Sequence, residues 1–132
     1  MSFAVDTNVL LRMLLDDDPD HSPRAVRFLK HASASESVVI NPIVLAEATW
    51  TLARTYKSPR QEIAGKVEEI LETRHFEVLF ADAAARAVEE YRTGRAEYAD
   101  YLLAHINAEF GCRTTFTFDE DAARSHACSP VP

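Results

Sequence analysis

The sequence has few of the features that mark secreted or membrane proteins. Its 132 residues include only two cysteines, Cys112 and Cys128, which excludes a disulfide framework. No apolar stretch approaches the length needed to span a bilayer. The chain enters the apolar segment 3–5 directly, without the basic start or cleavage site of a signal peptide. We therefore expect a soluble, cytoplasmic protein with no membrane partner.

Positive charge is also scarce. The chain carries 14 Lys and Arg residues against 21 Asp and Glu residues, a formal net charge of −7. This balance argues against a broad basic surface for nucleic-acid backbones, but not against metal ions that bridge acidic residues to phosphates. Apolar residues make up 47% and charged residues 27%, an ordinary globular composition. With no repeat or long linker, we expect residues 1–132 to form a single domain.

Short apolar segments alternate with amphipathic ones along the chain. They predict strands at 3–5, 37–40, 76–79 and 115–118, and helices at 8–15, 22–33, 42–57, 59–73, 83–93 and 98–110. Four capping side chains are predicted at helix starts, namely Ser22, Asn41, Ser58 and Asp82, the first three followed by proline. We expect strand 3–5 to be buried on both faces. The alternation predicts an α/β fold with a parallel sheet and helices on both faces.

Four carboxylates stand in apolar surroundings. Asp6 and Asp119 follow predicted strands, where ligands bind in such folds. Glu47 lies inside a helix that otherwise looks buried, and Asp100 lies in the first turn of its helix, where the helix dipole favours an anion. Any one of them alone is more simply a helix cap or half of a salt bridge. Together they predict a pocket for Mg²⁺ or Mn²⁺, because hard cations take oxygen ligands and buried carboxylates need a partner. Such a site suits phosphodiester hydrolysis.

Four segments carry a family resemblance in their order and spacing. They are VDTNVLLR at 5–12, VLAE at 44–47, YADYLLA at 98–104 and TFDED at 117–121. These segments resemble the PIN-domain family, and most closely the VapC-type toxins of bacterial toxin–antitoxin systems. The resemblance extends over residues 3–124. It implies a three-layer α/β/α fold with a central, mainly parallel sheet, and a Mg²⁺-dependent (or Mn²⁺-dependent) endoribonuclease that acts on RNA. It also implies neutralisation by a VapB-type antitoxin and a homodimer.

The resemblance also implies roles for individual residues. Four acids would bind the metal and form the catalytic site: Asp6, Glu47, Asp100 and Asp119. Three further residues would orient or assist them: Asn8, Glu97 and Asp121. Glu97 departs from the family pattern, since many relatives have Asp there, and Asp121 is an alternative to Asp119. We expect water to be the nucleophile, because these motifs contain no Ser, Cys or His placed to attack. The expected products are a 5′-phosphate and a 3′-hydroxyl.

Other interpretations have weaker support in the sequence. A haloacid-dehalogenase-like phosphatase needs a second Asp two residues after Asp6, where this chain has Asn8. A receiver-like binding module needs a Lys near the last strand, where this chain has Asp119. A catalytically inactive PIN-like binding module remains the main alternative. His105, His126, Cys112 and Cys128 match no zinc-binding spacing, so we expect no zinc site among them. Two further predictions are that Cys112 is buried, and that Trp50 lies in the core or a dimer interface.

Overall fold

The computed structural model describes residues 2–33 and 36–132 as a mixed α/β fold. Its strands are Ser2–Ala4 (β1), Ser37–Ile40 (β2), Phe76–Val78 (β3), Thr115–Thr117 (β4) and Cys128–Pro130 (β5). Its helices are Thr7–Leu14 (α1), His21–Ser33 (α2), Pro42–Arg54 (α3), Arg60–Glu72 (α4), Ala81–Thr93 (α5) and Tyr98–Glu109 (α6). A single 3₁₀ turn, Ala122–Arg124, precedes β5. In the part of the chain described, no helix is long and apolar enough to cross a membrane.

All strand pairings are parallel. β2 lies between β1 and β3, with Phe3 opposite Val38 and Ile40 opposite Val78. β4 pairs with β5 in a second, two-stranded sheet. The parallel pairing confirms the predicted α/β fold, which is consistent with a PIN-like α/β/α arrangement. The sequence did not predict β5, because its Cys-Ser-Pro segment lacks the β-branched and aromatic residues typical of strands.

The expectation that the first strand is buried on both faces is wrong. All three residues of β1 are exposed, and Phe3 retains 38% of its accessible surface. Among the described residues β1 lies at the end of its sheet, where β2 pairs with one of its edges. The buried strand is β2, whose Val38 and Ile40 are fully buried. The core therefore forms around β2 rather than around the first strand.

Helix α3 occupies the centre of the helical packing and contacts α1, α4 and α6. Its start confirms one predicted cap, because Asn41 Oδ1 accepts a hydrogen bond from the Ile43 backbone N–H (2.9 Å) and Pro42 occupies the first turn. Leu45 and Leu52 on its inner face are almost completely buried. The first turn of α6 is anchored by Tyr98, whose hydroxyl donates to the Ala84 carbonyl (3.0 Å). These contacts fix the two helices that carry Glu47 and Asp100.

The other three predicted caps are wrong. Ser22 lies inside α2, and its hydroxyl donates to the Leu15 carbonyl (2.7 Å). Ser58 does not cap α4, which begins without a side-chain cap. Asp82 lies one residue inside α5, whose N-cap is Phe80 in the left-handed region (φ 57°). None of the three side chains locates its helix start, because α2 begins at His21 and the N-caps of α4 and α5 are Pro59 and Phe80.

Candidate metal centre

Two acids lie where the strands lead into the next elements. Asp6 follows β1 and caps α1, with its Oδ1 accepting from the Val9 backbone N–H (3.0 Å). Asp119 follows β4 and accepts from the Ala122 backbone N–H through Oδ1 (2.8 Å). Both side chains are exposed. Because an ionised carboxylate has two acceptor oxygens, these hydrogen bonds leave room for a second ligand on each acid.

Glu47 lies on the exposed face of α3 and is linked to the start of α1. Thr7 Oγ1 donates to Glu47 Oε1 at 2.6 Å. Thr7 directly follows Asp6, so this hydrogen bond brings Glu47 to the residue beside Asp6. Sequence reasoning missed Thr7, although a hydroxyl adjacent to a candidate metal ligand was a usable signal.

Asp100 is the only one of the four acids that is partly buried. It lies in the first turn of α6, and its Oδ2 accepts from the Glu97 backbone N–H (3.3 Å). Burial raises the pKa of Asp100; this hydrogen bond opposes the rise, while the charges of Asp119 and Glu97 add to it. Asp119 therefore lies near enough to repel the Asp100 carboxylate. A cation between two such groups would remove this repulsion.

The three residues predicted to assist the acids, Glu97, Asn8 and Asp121, have different surroundings. Glu97 pairs with Arg54 (2.5 Å), so an arginine already compensates its charge. Asn8 is exposed in the first turn of α1 and lines a groove between α1 and α2. Asp121 lines a different depression, which it shares with Arg124. Asp119, rather than Asp121, is thus the acid whose charge reaches Asp100.

The expectation of apolar surroundings is wrong for three of the four acids. Asp6, Glu47 and Asp119 are exposed, and only Asp100 is desolvated. On α3, the helical period directs Glu47 outwards together with Trp50, which retains 51% of its surface. Trp50 is therefore not a core residue. Cys112, also predicted to be buried, is exposed. An acid within an apolar sequence segment can therefore lie on either the buried or the exposed face of its helix.

The connection between α5 and α6 is held from several sides. The Ala96 backbone N–H donates to Tyr101 Oη (3.2 Å), and Arg60 donates to the Ala96 carbonyl (2.8 Å). The Arg60 guanidinium also stacks on Tyr91, 3.9 Å from the ring centroid. Gly94 is required here because a Cβ at that position would collide with Tyr101 Oη. The backbone that leads into Asp100 is consequently well fixed.

The donor chemistry fits a hard divalent cation. The candidate ligands are all carboxylates, and Mg²⁺ and Mn²⁺ prefer oxygen. An open depression of about 410 Å³ is lined by Glu47 and Trp50 on α3 and by Ala99, the residue before Asp100. This depression lies between the helices that carry two of the acids, and Glu47 is the only carboxylate among its lining residues. A cation bound to these acids would take water or phosphate oxygens as its remaining ligands.

Comparison with known protein families gives one match over nearly the whole chain. Residues 3–126 match the family described as PIN domain. A comparison with curated proteins gave no significant match. The matched range includes all four acids and the elements that position them, from the second residue of β1 to the end of the 3₁₀ turn.

Proposed function

This chain belongs to the PIN domain family, whose members are typically metal-dependent nucleases, and from that premise we propose that it is a Mg²⁺-dependent or Mn²⁺-dependent endoribonuclease. We further propose that it is a VapC-type toxin that cleaves RNA in the cytoplasm and is neutralised by a VapB-type antitoxin. In this proposal residues 1–132 form one domain. The family match over residues 3–126 carries the proposal, and the four carboxylates supply the oxygen donors that a hard divalent cation accepts.

We assign metal binding to the four acids, Asp6, Glu47, Asp100 and Asp119. When bound, the cation supplies Lewis acidity that activates water and neutralises charge on the scissile phosphate. The hydrogen bond from Thr7 holds the Glu47 carboxylate towards α1. The Glu97 backbone N–H holds one oxygen of Asp100, and the ion pair with Arg54 fixes Glu97 itself. These contacts restrict the directions in which the carboxylate oxygens point.

A groove between α1 and α2 supports the antitoxin proposal. The groove has a volume of about 540 Å³ and includes the apolar side chains of Val9, Ala25 and Phe28. Phe28 retains 49% of its surface, and Arg24 and Arg27 stand beside it. A segment with apolar residues and a few acids would complement this groove in shape and charge. Because Asn8 also lines it, a bound segment would lie close to the Asp6 turn.

Exposed apolar residues on α3 support the proposed homodimer. Ile43 retains 66% and Trp50 51% of their accessible surfaces. Large apolar side chains that share an exposed face favour association with another protein surface. Sedimentation of the free protein would test the dimer, and Trp50→Ser is expected to shift it towards the monomer. An unchanged oligomeric state would exclude α3 as the contact.

Cleavage of a total-RNA pool by antitoxin-free protein tests the nuclease. We expect discrete fragments with Mg²⁺ or Mn²⁺ and none with excess EDTA. Asp100→Asn should reduce cleavage by at least about 100-fold, because even residues that only orient metal ligands contribute about 10–100-fold. Asp82→Asn is the matched control, since Asp82 lies in the first turn of α5 as Asp100 lies in that of α6.

Three outcomes would contradict the proposal in different ways. Cleavage that survives complete metal removal would exclude the metal mechanism. Equal cleavage by Asp100→Asn and the wild type would exclude these acids as the site. No cleavage by folded, metal-loaded protein would favour the inactive binding module. The toxin role needs a separate test: induced expression should arrest growth, Asp100→Asn should not, and co-expression of a small antitoxin encoded beside it should restore growth.

A further inference from the structure

A cluster of metal-binding side chains lies apart from the four acids. It consists of Glu90 on α5, His105 on α6 and His126 on the connection between the 3₁₀ turn and β5. Their ligand atoms all lie within 4.8 Å of one another. Neither cysteine belongs to this group within the described residues. Sequence spacing did not indicate it, because packing of three separate elements brings these residues together.

The geometry points to a binding site for a Zn²⁺-class transition-metal ion at Glu90, His105 and His126. Two imidazole nitrogens and one carboxylate oxygen are a donor set that Zn²⁺ accepts, with water as the fourth ligand. Such a set discriminates against Mg²⁺, which prefers oxygen alone. The inference does not depend on the proposed nuclease activity.

The distances are close to those of a metal site. His105 Nε2 lies 2.5 Å and His126 Nδ1 lies 3.9 Å from Glu90 Oε1. Ligand atoms around a tetrahedral Zn²⁺ are roughly 3.3 Å apart, given metal–ligand distances of about 2.0–2.1 Å. Both separations therefore need to change by less than about 1 Å. His126 retains 83% of its side-chain surface, so its ring can move without disturbing the core.

Burial and hydrogen bonds orient the other two residues of the cluster, His105 and Glu90. His105 is buried, with 4% of its side chain exposed, and Glu90 retains 20%. The Ser125 hydroxyl donates to Glu90 Oε1 (2.9 Å), and the Ala127 backbone N–H donates to Ser125 Oγ (3.1 Å). Hydrogen bonds of this kind orient metal ligands and strengthen binding. The connection 118–127 carries both Asp119 and His126, so a bound ion would tie this connection to α5 and α6.

Cobalt absorption and zinc calorimetry test the site without any activity assay. Tag-free protein in excess Mg²⁺, which occupies oxygen-only sites, is titrated with Co²⁺ and then Zn²⁺. We expect visible Co²⁺ bands typical of four-coordination, displacement by one equivalent of Zn²⁺, and a rise of several degrees in Tm. His126→Asn should weaken Zn²⁺ binding at least about 10-fold. His31→Asn, at an exposed histidine on α2, is the matched control.

Two results would overturn the inference. Zn²⁺ affinity and Co²⁺ spectra that are the same in His126→Asn and in the wild type would place the metal elsewhere. Absence of saturable Zn²⁺ binding by the folded wild type would reduce the cluster to a hydrogen-bonded pair beside a surface histidine. Because His126 is exposed, its substitution is not expected to impair folding. Glu90→Gln provides a second variant that retains the size of the side chain.

Discussion

Helix α6 serves two regions that organise their polar side chains differently. At its start, Asp100 belongs to the four acids, which engage backbone N–H groups and a threonine hydroxyl. His105 lies five residues later and about 140° around the helix. It belongs to the cluster of Glu90, His105 and His126, in which both histidines lie close to the Glu90 carboxylate. In the first region the pKa of Asp100 is raised, mainly by burial and to a smaller extent by the charges of Asp119 and Glu97. In the second, the Glu90 carboxylate already has His105 and Ser125 as hydrogen-bond partners. Removing a cation should therefore matter more to the first region than to the second.

After Asp100→Asn, the largest effect is expected from removing the charge of Asp119. Asp119→Asn retains a side chain that can cap the 3₁₀ turn through its amide oxygen, but it loses the negative charge facing Asp100. We expect Mg²⁺-dependent RNA cleavage to fall roughly 100-fold. Asp121→Asn should have at most about a tenth of this effect, because Asp121 lines a different depression. The opposite ranking of the two variants would make Asp121 the fourth acid.

The next effect concerns the stability of the histidine cluster in metal-free protein. Glu90→Ala removes the acceptor of both His105 and Ser125, and leaves these largely buried groups without that partner. We expect the free energy of unfolding in urea with EDTA to fall by about 1–3 kcal/mol. Glu89→Ala, at the exposed neighbouring position, should change it by less than about 0.5 kcal/mol. Equal losses would mean that the cluster does not stabilise the fold.

A smaller effect is expected from the hydrogen bond between α1 and α3. Thr7→Val has nearly the shape of threonine but cannot donate to Glu47 Oε1. We expect about a 10-fold higher Mg²⁺ concentration for half-maximal cleavage, because Glu47 is no longer oriented. Thr55→Val, at an exposed threonine after α3, is the control. If the Mg²⁺ dependence of Thr7→Val equals that of the control, Thr7 has no role in positioning Glu47.

The smallest effect is a shift in thermal stability. In the folded protein the pKa of Asp100 is raised above its unfolded value of 3.8, so folding disfavours the charged form. Stability is therefore lost as the pH rises through the raised pKa, and Asp100→Asn should increase Tm by a few degrees at neutral pH in EDTA. The gain should disappear below pH 3.8 and on addition of Mg²⁺, which stabilises only the wild type. A variant that is less stable at neutral pH would contradict this account.

Much of the fold followed from local patterns in the sequence. Periodicity located the helices to within a few residues, and Asn41-Pro42 marked a helix start correctly. The wrong caps at Ser22 and Ser58 reflect contacts with the preceding turn, because the Ser22 hydroxyl donates to the Leu15 carbonyl and the Ser58 backbone N–H donates to the Leu52 carbonyl. The missed β5 depends instead on its pairing with β4, which local patterns do not predict.

The sequence indicated the family of the protein but not the environment of the candidate acids. The order of the four acids along the chain indicated the family, which the match over residues 3–126 confirms. Their exposure could not be predicted, because burial depends on which helix face meets a neighbour. The roles of Thr7 and Arg54 were missed for the same reason, since both act through contacts about 40 residues away in sequence.

The tightly held α5–α6 connection has a consequence for the thermodynamics of cation binding. Tyr101 and Arg60 fix the backbone before Asp100 through hydrogen bonds that involve none of the four acids. The backbone on this side of the site therefore loses its conformational entropy during folding, and cation binding orders it little further. Asp119 is exposed on the connection 118–127, whose later part is anchored by buried Ala122 and by the hydrogen bond from Ser125 to Glu90, so the ordering cost of binding falls mainly on the residues around Asp119. Rigidifying that connection is the most direct way to raise cation affinity without altering a ligand.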